Sequence, residues 1–176
     1  IQNCNIHGGI AGILITGATT NSNVIKGNTI FDNDCAGLWF DGTNATAGSE
    51  TLVSGNAIFR NGQQGILLHS SHIIVDGNTV VNNGLSGLPG ESAIHIFGGS
   101  STDASGHANV ISNNVVAYQH DGGSYDGNGI QVDHWGSDNS IIGNQVFGND
   151  GSGVSLFSSA NNLVMNNVIR GNMVDA

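Results

Sequence analysis

Apolar and polar positions along this chain recur in one pattern, apolar-x-x-Asn-x-apolar-x-x-Asn, followed after a few residues by Gly-apolar-x-apolar. The pattern is read in IKGNTIFDNDCAGLWF (25–40), VSGNAIFRNGQQGILL (53–68), VDGNTVVNNGLSGL (75–88) and IIGNQVFGNDGSGVSL (141–156). Its first half returns alone in ISNNVVAYQ from Ile111 and in VMNNVIRGN from Val164. The leading asparagine falls at Asn28, Asn56, Asn78, Asn114, Asn144 and Asn167, with a degenerate start near Asn3. The shortest spacing, from 56 to 78, is 22 residues, and the others are that length plus insertions.

Within each unit the apolar residues alternate over short runs broken by Gly or Asn, and no helical stripe appears, so each unit reads as two or three brief strands. A period just over 20 built only of strands predicts stacked coils that pair strand on strand in parallel. Asparagine at a fixed place in each coil fits such a stack, because it accepts left-handed backbone and its amide can bond the asparagine one coil away. The expected fold is all-β, a right-handed parallel β-helix of about seven coils in one domain over residues 1–176.

Side chains alternate along the strand after the Gly. Its inward positions are Ile13/Ile15, Leu38/Phe40, Ile66/Leu68, Ile94/Ile96, Ile130/Val132 and Val154/Leu156. The outward ones form two columns, Leu14, Trp39, Leu67, His95, Gln131, Ser155 and Thr16, Asp41, His69, Phe97, Asp133, Phe157. Neighbours in a column should lie about 4.8 Å apart. One copy, GIQVDHWG (129–136), follows its strand with His134 and Trp135, where the scaffold asks only for small or polar residues.

Insertions mark the same face. From leading Asn to strand Gly is nine residues in the coils of Asn28, Asn56 and Asn144, but fifteen from Asn78 to Ala93 and from Asn114 to Gly129. After the strand, extra residues appear at 42–51 and 98–109. Walls on both sides of one sheet over its middle coils predict a groove, and solenoids place insertions on a binding face.

Composition narrows the partners. The 176 residues include 28 Gly, 1 Pro and only 9% charged residues, with a formal net charge of -10. The only basic residues are Lys26, Arg60 and Arg170, which removes the electrostatic footprint of a nucleic-acid or anionic-lipid binder. No apolar run reaches the roughly 18 residues of a membrane span. Cys4 and Cys35 occupy unmatched places in the repeat and read as buried free thiols. Scarce Lys with abundant Asn, Gly, Ser and Thr suits a secreted or cell-surface protein. Ile1 and the Met173 end read as coils cut open, either a segment of a longer chain or a unit that self-associates end to end.

The repeats resemble those of the pectate-lyase-like superfamily, and their rhythm is similar to that of alginate (mannuronan) epimerase catalytic modules. That resemblance implies a polysaccharide partner. It also implies a site at Asp133 and His134, which match the Asp and approximately the His of an Asp-Pro-His-Glu motif whose Pro and Glu are missing here. His95 joins them as a third candidate catalytic group, since imidazole can exchange protons at working pH. Candidate substrate contacts are Trp39, Asp41, His69, Gln131 and Trp135 on the face, with Glu91 and Tyr125 in the two equal insertions.

Proton abstraction beside a uronate carboxylate needs a nearby cation. With no Arg or Lys on the face, that chemistry would depend on Ca²⁺, for which Asp121, Asp126, Asp133 and Asp138 are the candidate ligands. A neutral glycan cleaved between two carboxylates drawn from Asp41, Glu91, Asp121, Asp126 and Asp133 avoids that need; the Asn-Thr-Asp, Asp-Asp and Gly-His-Gly motifs of polygalacturonases are absent. The expectation is therefore an extracellular carbohydrate-active lyase, epimerase or hydrolase. The alternative is a non-enzymatic filament, fibre or adhesin segment.

Overall fold

The computed structural model describes residues 1–17, 20–44, 46–123 and 126–173. Among these, nineteen strands form three parallel sheets, and the chain visits the sheets in turn, once per coil. The first sheet stacks β1 (Asn5–His7), β4 (Thr29–Phe31), β7 (Ala57–Phe59), β10 (Thr79–Val81), β13 (Val115–Ala117), β16 (Gln145–Phe147) and β19 (Val168–Arg170). The second stacks β2 (Ile13–Thr16), β5 (Leu38–Asn44), β8 (Ile66–Ser71), β11 (Ile94–Phe97), β14 (Ile130–Asp133) and β17 (Val154–Leu156). The third stacks β3 (Val24–Lys26), β6 (Thr51–Ser54), β9 (Ile73–Asp76), β12 (Val110–Ser112), β15 (Ser140–Ile142) and β18 (Leu163–Met165). This is the right-handed parallel β-helix that the repeat predicts, with seven strands in its longest sheet.

The core is a set of apolar columns, because each strand turns alternate residues inward. Ile30, Ile58, Val80, Val116 and Val146 line it from the first sheet, and Ile25, Val53, Val75, Ile111 and Ile141 from the third. The second sheet supplies two columns, ending at Ile130 and Val132. Val154 and Leu156 continue that register but stay partly exposed, since only one side of their coil is covered by the rest of the stack.

Three amide ladders stitch the turns. The Nδ2 groups of Asn28, Asn56, Asn78, Asn114 and Asn144 each donate to Oδ1 of the asparagine one coil on, at 2.9–3.0 Å, ending on Asn167. In the first coil this place belongs to Cys4, whose amide donates to Asn28 Oδ1 at 3.0 Å, and not to Asn3. Asn3 instead takes the left-handed turn position beside it. The repeat's second asparagine builds a similar run through Asn33, Asn61 and Asn83. A third ladder, Asn109 to Asn139 to Asn162, guards the entry to the third sheet. Both thiols are free, as expected, but Cys4 is exposed and Cys35 half-buried. The first coil, like the last, is covered on one side only.

The glycine before each strand of the second sheet is dictated by the second ladder. A Cβ at Gly129 would collide with Val146 Cγ1 and come within 2.7 Å of Gly153 O and 2.8 Å of Asn149 Nδ2. Ala93 fills this place in one coil, and there the facing ladder residue is Gln119 instead of Asn. Gly129→Ala is therefore expected to cost about 1–3 kcal/mol through overpacking. Thermal unfolding would check this; a loss within error of zero would mean that the coils can slide apart to admit the methyl.

Candidate functional site

The outward columns of the second sheet form as the alternation requires. His95 pairs between Leu67 and Gln131, Phe97 pairs with Asp133, and Asp41 with His69. Burial does not follow the alternation everywhere. All four residues of β14 are buried, including the outward-facing Gln131 at 5% and Asp133 at 7% exposure. The two equal insertions close over them, packing on each other so tightly that a Cβ at Gly122 would strike the backbone of Gly87 and Leu88. Ser92 and Asn128, the last residues of these insertions, reach Gln131 Oε1 at 2.6 and 2.9 Å.

Asp133 is the centre of this cluster. Its Oδ2 accepts from Gln131 Nε2 at 3.2 Å and faces His95 Nε2 at 3.7 Å; its Oδ1 accepts from the His134 amide at 2.6 Å and lies 2.7 Å from His134 Nδ1. Burial acts to raise the Asp133 carboxyl, but the His95 imidazole, the His134 amide and the His134 ring outweigh it and hold the group below the usual carboxylate range. A buried, ionised carboxylate thus lies beside a histidine whose side chain is 61% exposed and rests edge-on against Phe157.

Local backbone makes that presentation possible. His134 and Trp135 have φ of 35° and 70°, the left-handed region that side chains with a Cβ seldom adopt. Neighbouring coils hold the turn in place, with Trp135 N donating to Ser158 O at 2.9 Å and Gly98 N to His134 O at 2.9 Å. The place of His134 is left-handed in other coils too, at Gly17, Gly42 and Ser158, so what sets this turn apart is the second such residue, Trp135. The turn leaves the Trp135 side chain outside, 53% exposed.

His95 packs against Phe97, and both its ring nitrogens are buried without a hydrogen-bond partner. His69 stacks on Phe97 at 4.6 Å and sits between two carboxylates, Nδ1 3.1 Å from Asp41 Oδ1 and Nε2 3.0 Å from Asp103 Oδ2. An imidazole donates to both only when each nitrogen carries a proton. Asp103 comes from the insertion after β11; burial acts to raise it, but the Ser105 amide and hydroxyl and the His69 ring hold it low. Bonds from Ser71 to Ala104 O and between His107 and Ser137 at 2.7 Å pin this loop to its neighbours.

Glu91, at the base of the first equal insertion, is 2% exposed; Oε1 accepts from Ser86 at 3.1 Å and Oε2 has no partner. Burial pushes its carboxyl up to about 7, against the Ser86 hydrogen bond and with help from the Asp121 charge. Trp39 lies half-buried between Leu14 and Leu67, at some remove along the stack. Tyr125 lies outside the described residues. Of the candidate calcium ligands, Asp121 and Asp126 precede β14, Asp133 ends it, and Asp138 follows the turn and accepts from Ser137 Oγ at 2.7 Å. Among the described residues no three His, Cys, Asp or Glu side chains are arranged to hold a metal ion.

All three basic side chains are elsewhere. Lys26 is on the third sheet, Arg60 is paired with Asp32 at 2.6 Å on the turn after β7, and Arg170 lies over Phe147 on the first. Sequence reasoning missed Ser92, Asn128 and Asp103. The first two had a visible signal, since both stand immediately before the strand's Gly or Ala. Asp103 had none.

The family described as "Right handed beta helix region" matches residues 1–146. The A-module of Azotobacter vinelandii mannuronan C-5 epimerase AlgE4 superposes with a TM-score of 0.65 at 18% identity, over 87% of this chain and 37% of that one. The A-module of Azotobacter vinelandii mannuronan C-5 epimerase AlgE6 gives 0.62 at 16% identity, over 92% of this chain and 42% of that one. This chain therefore spans about two fifths of either. A search of curated proteins found no match. With a family match over most of its length and three stacked parallel sheets, the chain belongs to the right-handed β-helix family.

Proposed function

We propose that this is an extracellular carbohydrate-active protein that binds a polysaccharide across the second sheet and acts on it with the Asp133–His134 pair. The observation that carries this reading is the buried, ionised Asp133 set 2.7 Å from Nδ1 of an exposed His134, on a turn where Trp135 adds a second left-handed residue. The exposed His134 imidazole is the group placed to take a proton from a bound sugar, and the Asp133 charge beside it stabilises the imidazolium that results. Trp135 offers a ring face for sugar stacking beside it. The epimerase modules that share the fold are named for mannuronan, which supports a polysaccharide as the partner class.

A neutral glycan suits the face better than a polyuronate. Each uronate would bring a negative charge toward Asp41, Asp103 and Asp133, while all three Lys and Arg residues lie on other faces. Incubation with neutral and uronate polysaccharides, read by new reducing ends and by unsaturated product, tests the reading. Turnover of a neutral polymer is expected, with a loss of about 100-fold or more in both His134→Ala and Asp133→Asn. Full turnover by both variants would sink the assignment, and glycan binding without turnover by the wild type would leave a binding surface in place of an enzyme.

A further inference from the structure

We infer that His69 is held as an imidazolium between Asp41 and Asp103, giving the second sheet a positive charge that no Lys or Arg gives it, and that loss of its proton makes this face turn away anionic sugars. Both ring nitrogens are engaged. Nδ1 bonds Asp41 Oδ1 at 3.1 Å and Nε2 bonds Asp103 Oδ2 at 3.0 Å. Ionised carboxylates only accept, so both nitrogens must donate, and an imidazole carries two N–H groups only in its charged form. Asp103 is fixed as an acceptor independently, because the Gly99 amide donates to its Oδ2 at 3.2 Å and the Ser105 amide to its Oδ1 at 2.8 Å. Phe97 stacks on the imidazole with 8° between the planes, which keeps the ring aimed at both partners.

Three elements pack against His69. β5 brings Asp41, the loop after β11 brings Asp103, and β11 brings the uncharged ring of Phe97, against which His95 packs in turn. In the same loop, His107 Nε2 donates to the backbone carbonyl of Asp103 at 3.0 Å. With His69 charged, the trio of Asp41, His69 and Asp103 carries one net negative charge; with His69 neutral it carries two. The proton is bound at low pH, so the face is least negative there and becomes more negative as pH rises through the range in which imidazole titrates. A neutral ring has one hydrogen for two carboxylates and sets a lone pair against the other. Asp41, 49% exposed and without the two amides that hold Asp103, is then the one to turn toward solvent. The selectivity rests on the glycan reading above, whereas the charge of His69 does not.

Nitrogen-15 NMR of the whole chain reads the two ring nitrogens separately. His69 should show both as N–H in the wild type, and should bind its proton about tenfold more weakly in Asp41→Asn and in Asp103→Asn, where an amide replaces one carboxylate. Asp41→Asn changes an exposed side chain, so it keeps the test open even if Asp103→Asn unravels the loop. Equal proton affinity in the wild type and the folded variants would overturn the inference.

Selectivity is read as the affinity for a mannuronan oligomer divided by that for a neutral mannan oligomer of equal length, at low salt, where exposed charges are least screened. His69→Gln cannot take a charge and leaves the other histidines of the face in place, so it supplies the comparison. From about pH 5 to about pH 8 the wild-type ratio should fall about fivefold more than that of His69→Gln. An equal fall in both proteins would overturn the selectivity. Failure of either oligomer to bind would sink the glycan reading, and the titration would still decide the charge of His69.

Discussion

Asn114→Ala should destabilise the protein by about 3–5 kcal/mol, a loss on the scale of the entire stability of many domains. Asn114 sits in the middle of the longest ladder and is fully buried. Its Oδ1 accepts from Asn78 N at 2.8 Å and from Asn78 Nδ2 at 3.0 Å; its Nδ2 donates to Val75 O at 2.9 Å and to Asn144 Oδ1 at 3.0 Å. Truncation to alanine leaves the amide of Asn78 buried and unpaired, at about 1–3 kcal/mol, removes a second donor from the Val75 carbonyl, and opens a void. In a solenoid each coil is held only by its neighbours, so a broken rung weakens both interfaces of its coil. Asn167→Ala, on a rung with a coil on one side only, should cost about 1 kcal/mol. Urea unfolding followed by circular dichroism decides the matter, and equal losses in the two variants would show that rung position is unimportant.

The second large effect depends on pH. The Glu91 carboxyl titrates near 7 in the folded chain against an ordinary value of 4.5, chiefly because burial disfavours the charged form. Between those two values the unfolded chain has released the proton and the folded chain has kept it. Stability therefore falls as pH rises from 4.5 to 7 and levels off above, by about 3 kcal/mol from this group alone. Glu91→Gln cannot ionise and keeps an acceptor for Ser86, so it should be more stable than the wild type by about 2 kcal/mol at pH 8 and show no such advantage at pH 4.5. Unfolding curves at the two pH values measure this. A difference between wild type and variant that does not change with pH would show that Glu91 titrates alike in the folded and unfolded chains.

The architecture was legible because its signals are periodic. Asparagine every coil, strand alternation and a glycine before all but one strand of the second sheet are properties of spacing, and parallel stacking brings equivalent positions of successive coils together. The pairing of His95 with Gln131 and of Phe97 with Asp133 could therefore be written down from the chain. So could the positions of Lys26 and Arg60 away from the second sheet. The start of the leading ladder was less legible, since Cys4 holds the place by its backbone amide and shows no side-chain signature.

The sequence by itself thus determined the fold, the ladder positions and the face on which His134 and Trp135 stand. Only the tertiary structure decided that outward-facing Gln131 and Asp133 are buried, that Asp103 meets His69 and that Glu91 lies without a partner for Oε2. The physical reason is the same in each case. These states depend on the paths of the insertions, whose contacts recur at no period and are set by closures such as Gly122 against Gly87 and Ser92 against Gln131. A repeat specifies what every coil shares, whereas the chemistry of this face comes from what two coils do differently.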